Sequence, residues 1–276
     1  MYGTIMTMEP TLTLPTESTV LPSGRAMPLL GFGTWQLTGS EAVTATAAAL
    51  DAGYRHLDTA TVYDNEEQVG QALARSGVPR SEVFITTKVP PSRAGEEGAT
   101  LGVSLERLGT DHVDLWLIHW TPEEDEPGAG IGIDLWGALI NEREQGYATD
   151  IGVSNYSLEQ IDQLVAATGV TPAVNQIEWS PLLFDAAVLA GHRERGIVLE
   201  GYSGLRGGTL EHPVIVAVAE RLGRTPAQVI IRWHLQHGTV VIPKSSRAQR
   251  VRSNADVGGF ELSAADVAAL DALGGS

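Results

Sequence analysis

The chain contains no cysteine. That excludes a disulfide framework, a thiolate nucleophile, an iron–sulfur cluster and any cysteine-ligated zinc. Lysine is nearly missing too: of 18 basic residues only Lys88 and Lys244 are lysine, and the other 16 are arginine. Lysine can lose its proton, form a Schiff base or act as a compact point charge where arginine cannot, so both lysines are suspects before any motif is consulted. No apolar run approaches bilayer length; stretches such as Val214 to Ala219 fall far short of the ~20 residues a spanning helix needs. Met1 to Thr19 lacks a basic segment followed by an apolar one, so no secretory signal is read there and a cytoplasmic protein is expected. Basic residues are outnumbered by acidic ones, 18 against 34, for a net charge of −16. Nucleic acid and anionic membrane are poor partners for such a chain, and self-association is opposed, so a monomer is expected.

What is present is a folded-protein composition: 276 residues, 43% hydrophobic, with 31 Gly and 14 Pro scattered through the chain. Short apolar strands alternate with amphipathic helices. The strands fall at Leu29–Gly33, His56–Asp58, Val83–Lys88, Val113–His119, Thr149–Val153, Val174–Glu178, Ile197–Tyr202 and Val240–Pro243. They read as the continuous apolar runs of buried parallel sheet. Eight such units in about 250 residues imply an α/β fold, a single (β/α)8 barrel over 19–276. A doubly wound sheet would need a glycine-rich turn after its first strand, which Gly33-Thr34-Trp35-Gln36 does not provide. Thr19 to Met27, with Pro22-Ser23-Gly24, is expected to form a hairpin plugging the barrel floor, preceded by a flexible extension over 1–18. The glycine run Gly128 to Gly132 lies in a loop and is a weak signal for phosphate.

In such barrels chemistry sits at the carboxyl ends of the strands. Those ends carry Asp58 with Tyr63 beyond it, then Lys88, His119-Trp120, Ser154-Asn155, Gln176, Tyr202-Ser203 and Lys244-Ser245. Asp58, Tyr63, Lys88 and His119 suggest acid catalysis. An ammonium beside a phenol favours the phenolate and is expected to lower its pKa; the aspartate holds the lysine charged, and the histidine orients a carbonyl oxygen. Taken singly, Asp58 could cap a loop, Tyr63 could be core and His119 a satisfied interior histidine; together at adjacent strand ends they point to a site. A second feature is electrostatic. Between Gly238 and Ala255 there is no Asp or Glu, yet Lys244, Arg247, Arg250 and Arg252 crowd nine positions. The plain alternative is a basic helix face balancing acids elsewhere, but a phosphate site at a strand–helix junction fits better.

These residues resemble the aldo-keto reductase superfamily, particularly the bacterial branch similar to 2,5-diketo-gluconate reductases, over about Val20 to Leu273. The resemblance is carried by Gly53-Tyr54-Arg55-His56-Leu57-Asp58-Thr59-Ala60 with Tyr63 and Asn65-Glu66, by Asp114 to Trp120, Gly152 to Asn155, Asn175 to Glu178, and Ile242 to Ser245. It implies NADPH/NADP+ as cofactor and Asp58, Tyr63, Lys88 and His119 as catalytic tetrad. It further implies that Ser154, Asn155 and Gln176 bind the nicotinamide carboxamide, that Tyr202 stacks on the ring and that Ser203 and Leu205 line the pyrophosphate path. Lys244, Ser245 and Arg250 would hold the 2′-phosphate, and Asn254 the adenine. Three positions depart from the family pattern: Gly204 replaces a proline and is expected to loosen its loop, Ser253 replaces a glutamate, and Thr121 intervenes before Pro122.

The implied reaction is hydride transfer to an aldehyde or activated ketone (a diketone, keto ester or imine among the options), with Tyr63 as general acid. Trp35, Trp120 and Trp179 are expected as pocket walls, and Trp116, Trp136 and Trp233 as core. The last helix read is Ala248 to Ala255 and the sequence stops soon after, at Gly275-Ser276, so an open, permissive pocket is expected. Two other classes stay open: a class I aldolase with a Schiff base on Lys88, and a non-catalytic NADP-binding regulator. A metal hydrolase on His56, Asp58 and His119 is weaker, since Leu57 separates the first two.

Overall fold

The computed structural model describes residues 12–275. Ten strands run in chain order: β1 (Ser18–Val20), β2 (Ala26–Pro28), β3 (Phe32–Gly33), β4 (His56–Asp58), β5 (Phe84–Val89), β6 (Val113–Ile118), β7 (Ala148–Ser154), β8 (Val174–Glu178), β9 (Val198–Tyr202) and β10 (Val240–Val241). The last eight form one parallel sheet in sequential order from β3 to β10. A parallel bridge between Leu30 and Val241 joins its two edges, with Gly31 N donating to Val241 O at 2.9 Å and Val241 N to Leu29 O at 2.8 Å. Closure leaves no free edge. The expected (β/α)8 barrel is therefore the observed one. Its end strands are shorter than their apolar runs suggested, because β3 and β10 contribute two paired residues each.

Strands β1 and β2 pair antiparallel, with Thr19 opposite Met27. The hairpin latches to the amino ends of the barrel strands. Ser23 N donates to Asp150 Oδ1 at 3.2 Å near the start of β7, and Arg25 Nε donates to Asp114 Oδ1 at 2.7 Å near the start of β6. Met27 and Leu21 are buried beneath it. It is the expected floor plug. The larger part of the expected flexible extension lies outside the described residues. Its last residues are tied to the body: Thr13 N donates to Asp256 Oδ1, Gly258 N to Thr13 O, and Arg232 pairs with Glu17.

Helices on the outer face start where side chains satisfy their first amides. Ser157 with Gln160, and Thr225 with Gln228, form capping boxes for helices Leu158–Thr168 and Pro226–Gln236. A third capping box, Ser263 with Asp266, starts helix Ala264–Asp271, in a stretch the sequence analysis leaves without an element. Trp116, Trp136 and Trp233 are fully buried core, as expected. With the floor plugged and the helices outside, the carboxyl ends of the strands are the open face.

Candidate active site

At the open face β4 ends in Asp58 and β5 delivers Lys88 in register with Leu117 of β6. Lys88 is wholly buried. Its Nζ donates to Asp58 Oδ1 at 2.7 Å, to Asp58 Oδ2 at 2.8 Å and to Thr59 O at 2.8 Å, which uses all three ammonium hydrogens. Burial works against its charge, yet the Asp58 carboxylate, the Tyr63 phenol and the hydrogen bonds together outweigh it, and its pKa is raised. A Schiff-base lysine needs the neutral amine exposed to substrate; this one is charged and enclosed.

Tyr63 follows on a single 3-10 turn, Thr61–Tyr63, closed by Asp64 in the left-handed region. Lys88 Nζ lies 5.1 Å from its ring centroid, and the His119 ring meets it edge-on at 5.5 Å. Here the structure corrects an expectation. The phenol's pKa is raised, because burial outweighs the lowering by Lys88. The ammonium is already committed to Asp58, so it tempers the phenol rather than ionising it, and Tyr63 remains a proton donor. His119 is pulled down to about 3 by burial and by Lys88, so at neutral pH its imidazole is uncharged. It can donate a hydrogen bond but holds no spare proton to give away.

The turn bearing Tyr63 is held by Asn65, which is fully buried. Its Nδ2 donates to Thr34 O at 2.8 Å and Leu37 O at 2.9 Å, and its Oδ1 accepts from Thr59 Oγ1 at 2.7 Å. The loops after β3 and β4 are thereby fixed to each other.

A cleft of about 960 Å³ crosses this face. Asp58, Tyr63 and His119 line it, with Trp35 and Trp120 at the rim. Ser154, Asn155, Gln176, Tyr202, Ser203 and Leu205 also line it, as do Lys244, Ser245, Arg250 and Asn254. Lys88 sits behind the lining, reaching the cleft only through Asp58 and Tyr63. Among the described residues no carboxylate pairs with Lys244, Arg247 or Arg250. Three non-glycine residues of the lining, Gln36, Asn155 and Ser203, have positive φ (64°, 63° and 56°). Such backbone strain gathers where a surface is shaped for a ligand.

Two expectations fail here. Trp179 is not a cleft wall: one residue past the end of β8, it packs beneath the face, edge-on to Phe184 at 5.8 Å and only 2% exposed. Its neighbour Glu178 lines the cleft instead. Nor is Gly204 slack. A Cβ there would lie 3.0 Å from His234 Nε2 and 3.1 Å from Trp179 O, so the glycine permits a close approach to the helix below. In the Gly128–Gly132 run the amides of Gly128 and Gly130 are committed to the neighbouring Glu123 carboxylate.

The sequence analysis missed two groups. Arg206 lays its guanidinium over the Trp35 ring at 4.9 Å, bridging two loops at the cleft rim. Glu200, in the middle of β9, is fully buried and accepts from Gln176 Nε2 at 3.0 Å, while the same nitrogen donates to Asp58 Oδ2 at 2.8 Å. The available signal was a lone acid inside the apolar run Val198 to Tyr202.

Barrel and site together define an enzyme in which an acid-handling cluster faces a cleft that is also lined by cations with no carboxylate partner among the described residues. The aldo/keto reductase family model matches residues 29–274, and the chain belongs to that family of oxidoreductases. An aldo-keto reductase of Mycolicibacterium vanbaalenii is 47% identical over 257 residues, covering 92% of this chain and 91% of the relative. One of Mycolicibacterium smegmatis is 44% identical over 256 residues, covering 92% of each. Among solved structures, an aldo/keto reductase from Brucella melitensis superimposes with a TM-score of 0.88 at 40% identity, covering 95% of this chain and all of that one. A Bombyx mori aldo-keto reductase in complex with NADP gives 0.86 at 33% identity, covering 95% and 94%.

Proposed function

We propose that the protein reduces aldehydes and activated ketones with NADPH, Tyr63 acting as general acid. One observation carries the reading: the Asp58–Lys88–Tyr63–His119 cluster and the cations Lys244 and Arg250, which pair with no carboxylate among the described residues, border one and the same cleft. The lining fits the cofactor on its own chemistry. Amide and hydroxyl groups of Ser154, Asn155 and Gln176 suit a carboxamide, the Tyr202 ring suits a planar base, and the cations suit a phosphate. Ser203 and Leu205 would border the diphosphate, Ser245 would add a hydrogen bond to the phosphate, and Asn254 would meet the adenine. When bound, NADPH supplies the hydride.

The chain's residues do the remainder. His119, neutral, donates a hydrogen bond to the substrate carbonyl oxygen. Tyr63 passes its proton to that oxygen as alkoxide charge develops, and Lys88 stabilises the phenolate left behind. Trp35 and Trp120, each more than a third exposed, form an apolar rim that suits hydrophobic carbonyl substrates. In this reading the protein acts on small molecules in the cytoplasm as a monomer, its net charge of −16 opposing self-association. The test is NADPH consumption across a panel of aldehydes, diketones, keto esters and imines. Turnover of several aldehydes supports the reading; tight NADPH binding with no turnover of any member points to a regulator.

A further inference from the structure

We propose that Glu200 is a positioning residue that keeps a proton inside the barrel, orients Gln176 against Asp58, and sets the alkaline limit of carbonyl reduction. This rests on the reading of Tyr63 as general acid.

The first observation is the geometry of Gln176. Its amide nitrogen has two hydrogens, one spent on Asp58 Oδ2 and the other on Glu200 Oε2. Glu200 and Gln176 are register partners on adjacent strands, so the two side chains leave the sheet side by side. With both donors fixed, the amide oxygen of Gln176 is the atom left free to accept from a ligand in the cleft. Asp58 in turn receives three hydrogen bonds, two from Lys88 and one from Gln176. Glu200 therefore holds the far end of the chain Glu200–Gln176–Asp58–Lys88.

The second observation fixes where the proton is. Glu200 Oε1 is buried and has no hydrogen-bond partner among the described residues; His56 Nε2 lies 3.7 Å from it. His56 Nδ1 faces Pro28 O at 3.3 Å. A carbonyl can only accept, so Nδ1 carries the hydrogen of the neutral ring and Nε2 presents a lone pair. Thr86 Oγ1, 3.2 Å from Nε2, can donate to it. A carboxylate oxygen facing that lone pair would be repelled and would leave buried charge without a hydrogen bond, whereas the neutral acid carries no charge to be satisfied. Glu200 is the group that fits as an acid.

The surrounding charges agree. The groups facing Glu200 are Asp58 and His56 from β4, Lys88 from β5, Gln176 from β8 and Tyr63, with the apolar Val240 of β10 as its register partner. One buried cation already has its anion in Asp58, so a second carboxylate would leave the cluster net negative. Burial and Asp58 raise the Glu200 carboxyl to about 8, and burial lowers His56 to about 4, which leaves both neutral at pH 7. Loss of the Glu200 proton to solvent at higher pH adds a negative charge near Tyr63 and makes its phenolate harder to form. Reduction then slows.

The experiment compares pH profiles of kcat and kcat/KM for the wild type and Glu200→Gln, with Tyr63→Phe as the control for the reaction itself. The wild type should lose activity through a limb centred near pH 8. Glu200→Gln keeps the acceptor for Gln176 but cannot ionise. It should lose only a few-fold in kcat at pH 6, lack that limb, and outpace the wild type at pH 9 by roughly five- to tenfold. An identical alkaline limb in both proteins overturns the proposal, even where inactive Tyr63→Phe upholds the acid assignment. Should the variant fail to fold, carbon-13 NMR of wild-type protein labelled at the glutamate carboxyls gives the answer independently of turnover. One carboxyl titrating above pH 7 supports the proposal, and titration of every glutamate below pH 6 overturns it.

Discussion

A buried lysine with all three hydrogens committed is a rigid electrostatic reference, and Tyr63 is positioned against it. Replacing Tyr63 by Phe removes one oxygen and the proton it carries. Carbonyl reduction should fall by about 10²-fold or more, the usual scale for a lost general acid, with cofactor affinity nearly intact. Steady-state rates and fluorescence titration of NADPH measure the two separately, and wild-type turnover in Tyr63→Phe would falsify the role. Lys88→Met should be inactive as well and should unfold more easily, because it leaves Asp58 buried beside an apolar chain; breaking such a pair costs about 3–5 kcal/mol. Lys88→Arg should not restore activity, since a planar fork cannot place a point charge at once against Asp58 and beneath the phenol. The tetrad was legible in the sequence because strand ends in a barrel are where polar side chains converge. Glu200 was not, because its meaning lies in a partner 24 residues earlier, on a neighbouring strand. Trp179 was misread for a related reason: one step past a strand end reverses which face a side chain meets, and the sequence does not print where the strand stops.

Among the elements, the turn Thr61–Tyr63 is anchored from both sides, by Thr61 Oγ1 donating to Lys88 O at 2.8 Å and by the Asn65 network just beyond it. Asn65→Ala would leave Leu37 O without its donor, Thr34 O with only the Leu37 amide and the Thr59 hydroxyl unpaired, for about 1–3 kcal/mol of lost stability. Because the same amide anchors one side of the Tyr63 turn, kcat should fall too while the affinity for NADPH holds. A variant that melts lower yet keeps full kcat would show that the turn is held from elsewhere. Helix Ala248–Ala255 makes the other prediction. It starts without a side-chain cap and carries Arg250, which lines the cleft, so its charge is open to an incoming anion. Arg250→Ala should weaken NADPH by about tenfold or more and NADH much less, and added salt should narrow the difference between the two cofactors. Equal losses for both would mean that the cluster does not read the phosphate. This helix could be seen in the sequence because its charge inverts that of the whole chain. Helix Ala264–Asp271 was overlooked because its alanine-rich pattern gives no apolar stripe, although the Ser263–Asp266 spacing was a start signal.

For the whole molecule, buried titratable groups of opposite kinds set how stability changes with pH. His56, His119 and His234 have pKa values lowered by burial from 6.5 to about 4, 3 and 3, and His192 is lowered in the same direction. In the unfolded chain these rings take up protons as pH falls below 6.5; in the folded chain they stay neutral well below that. The unfolded state therefore binds more protons between about pH 4 and 6.5, and on this account stability rises with pH across that window, at about 1.4 kcal/mol per pH unit for each uncompensated proton. Glu200 has the opposite sign. Its pKa is raised, so from about 4.5 to 8 the folded state holds a proton that the unfolded chain has released, and stability falls as pH rises. Glu66 and Asp150, raised by burial, oppose the histidines in the acid range as well. Below pH 6.5 the several histidines outweigh these carboxyls; above it the histidines are neutral in both states and only the downward contribution of Glu200 remains, reinforced by self-repulsion in a chain of net charge −16. Melting temperature should therefore peak near pH 6.5 and decline on both sides. Circular-dichroism melts from pH 4 to 9 at fixed ionic strength measure this, and Glu200→Gln should flatten the alkaline decline while leaving the acid side in place. A melting temperature still climbing between pH 7 and 8.5 would mean that Glu200 is already ionised in the folded barrel.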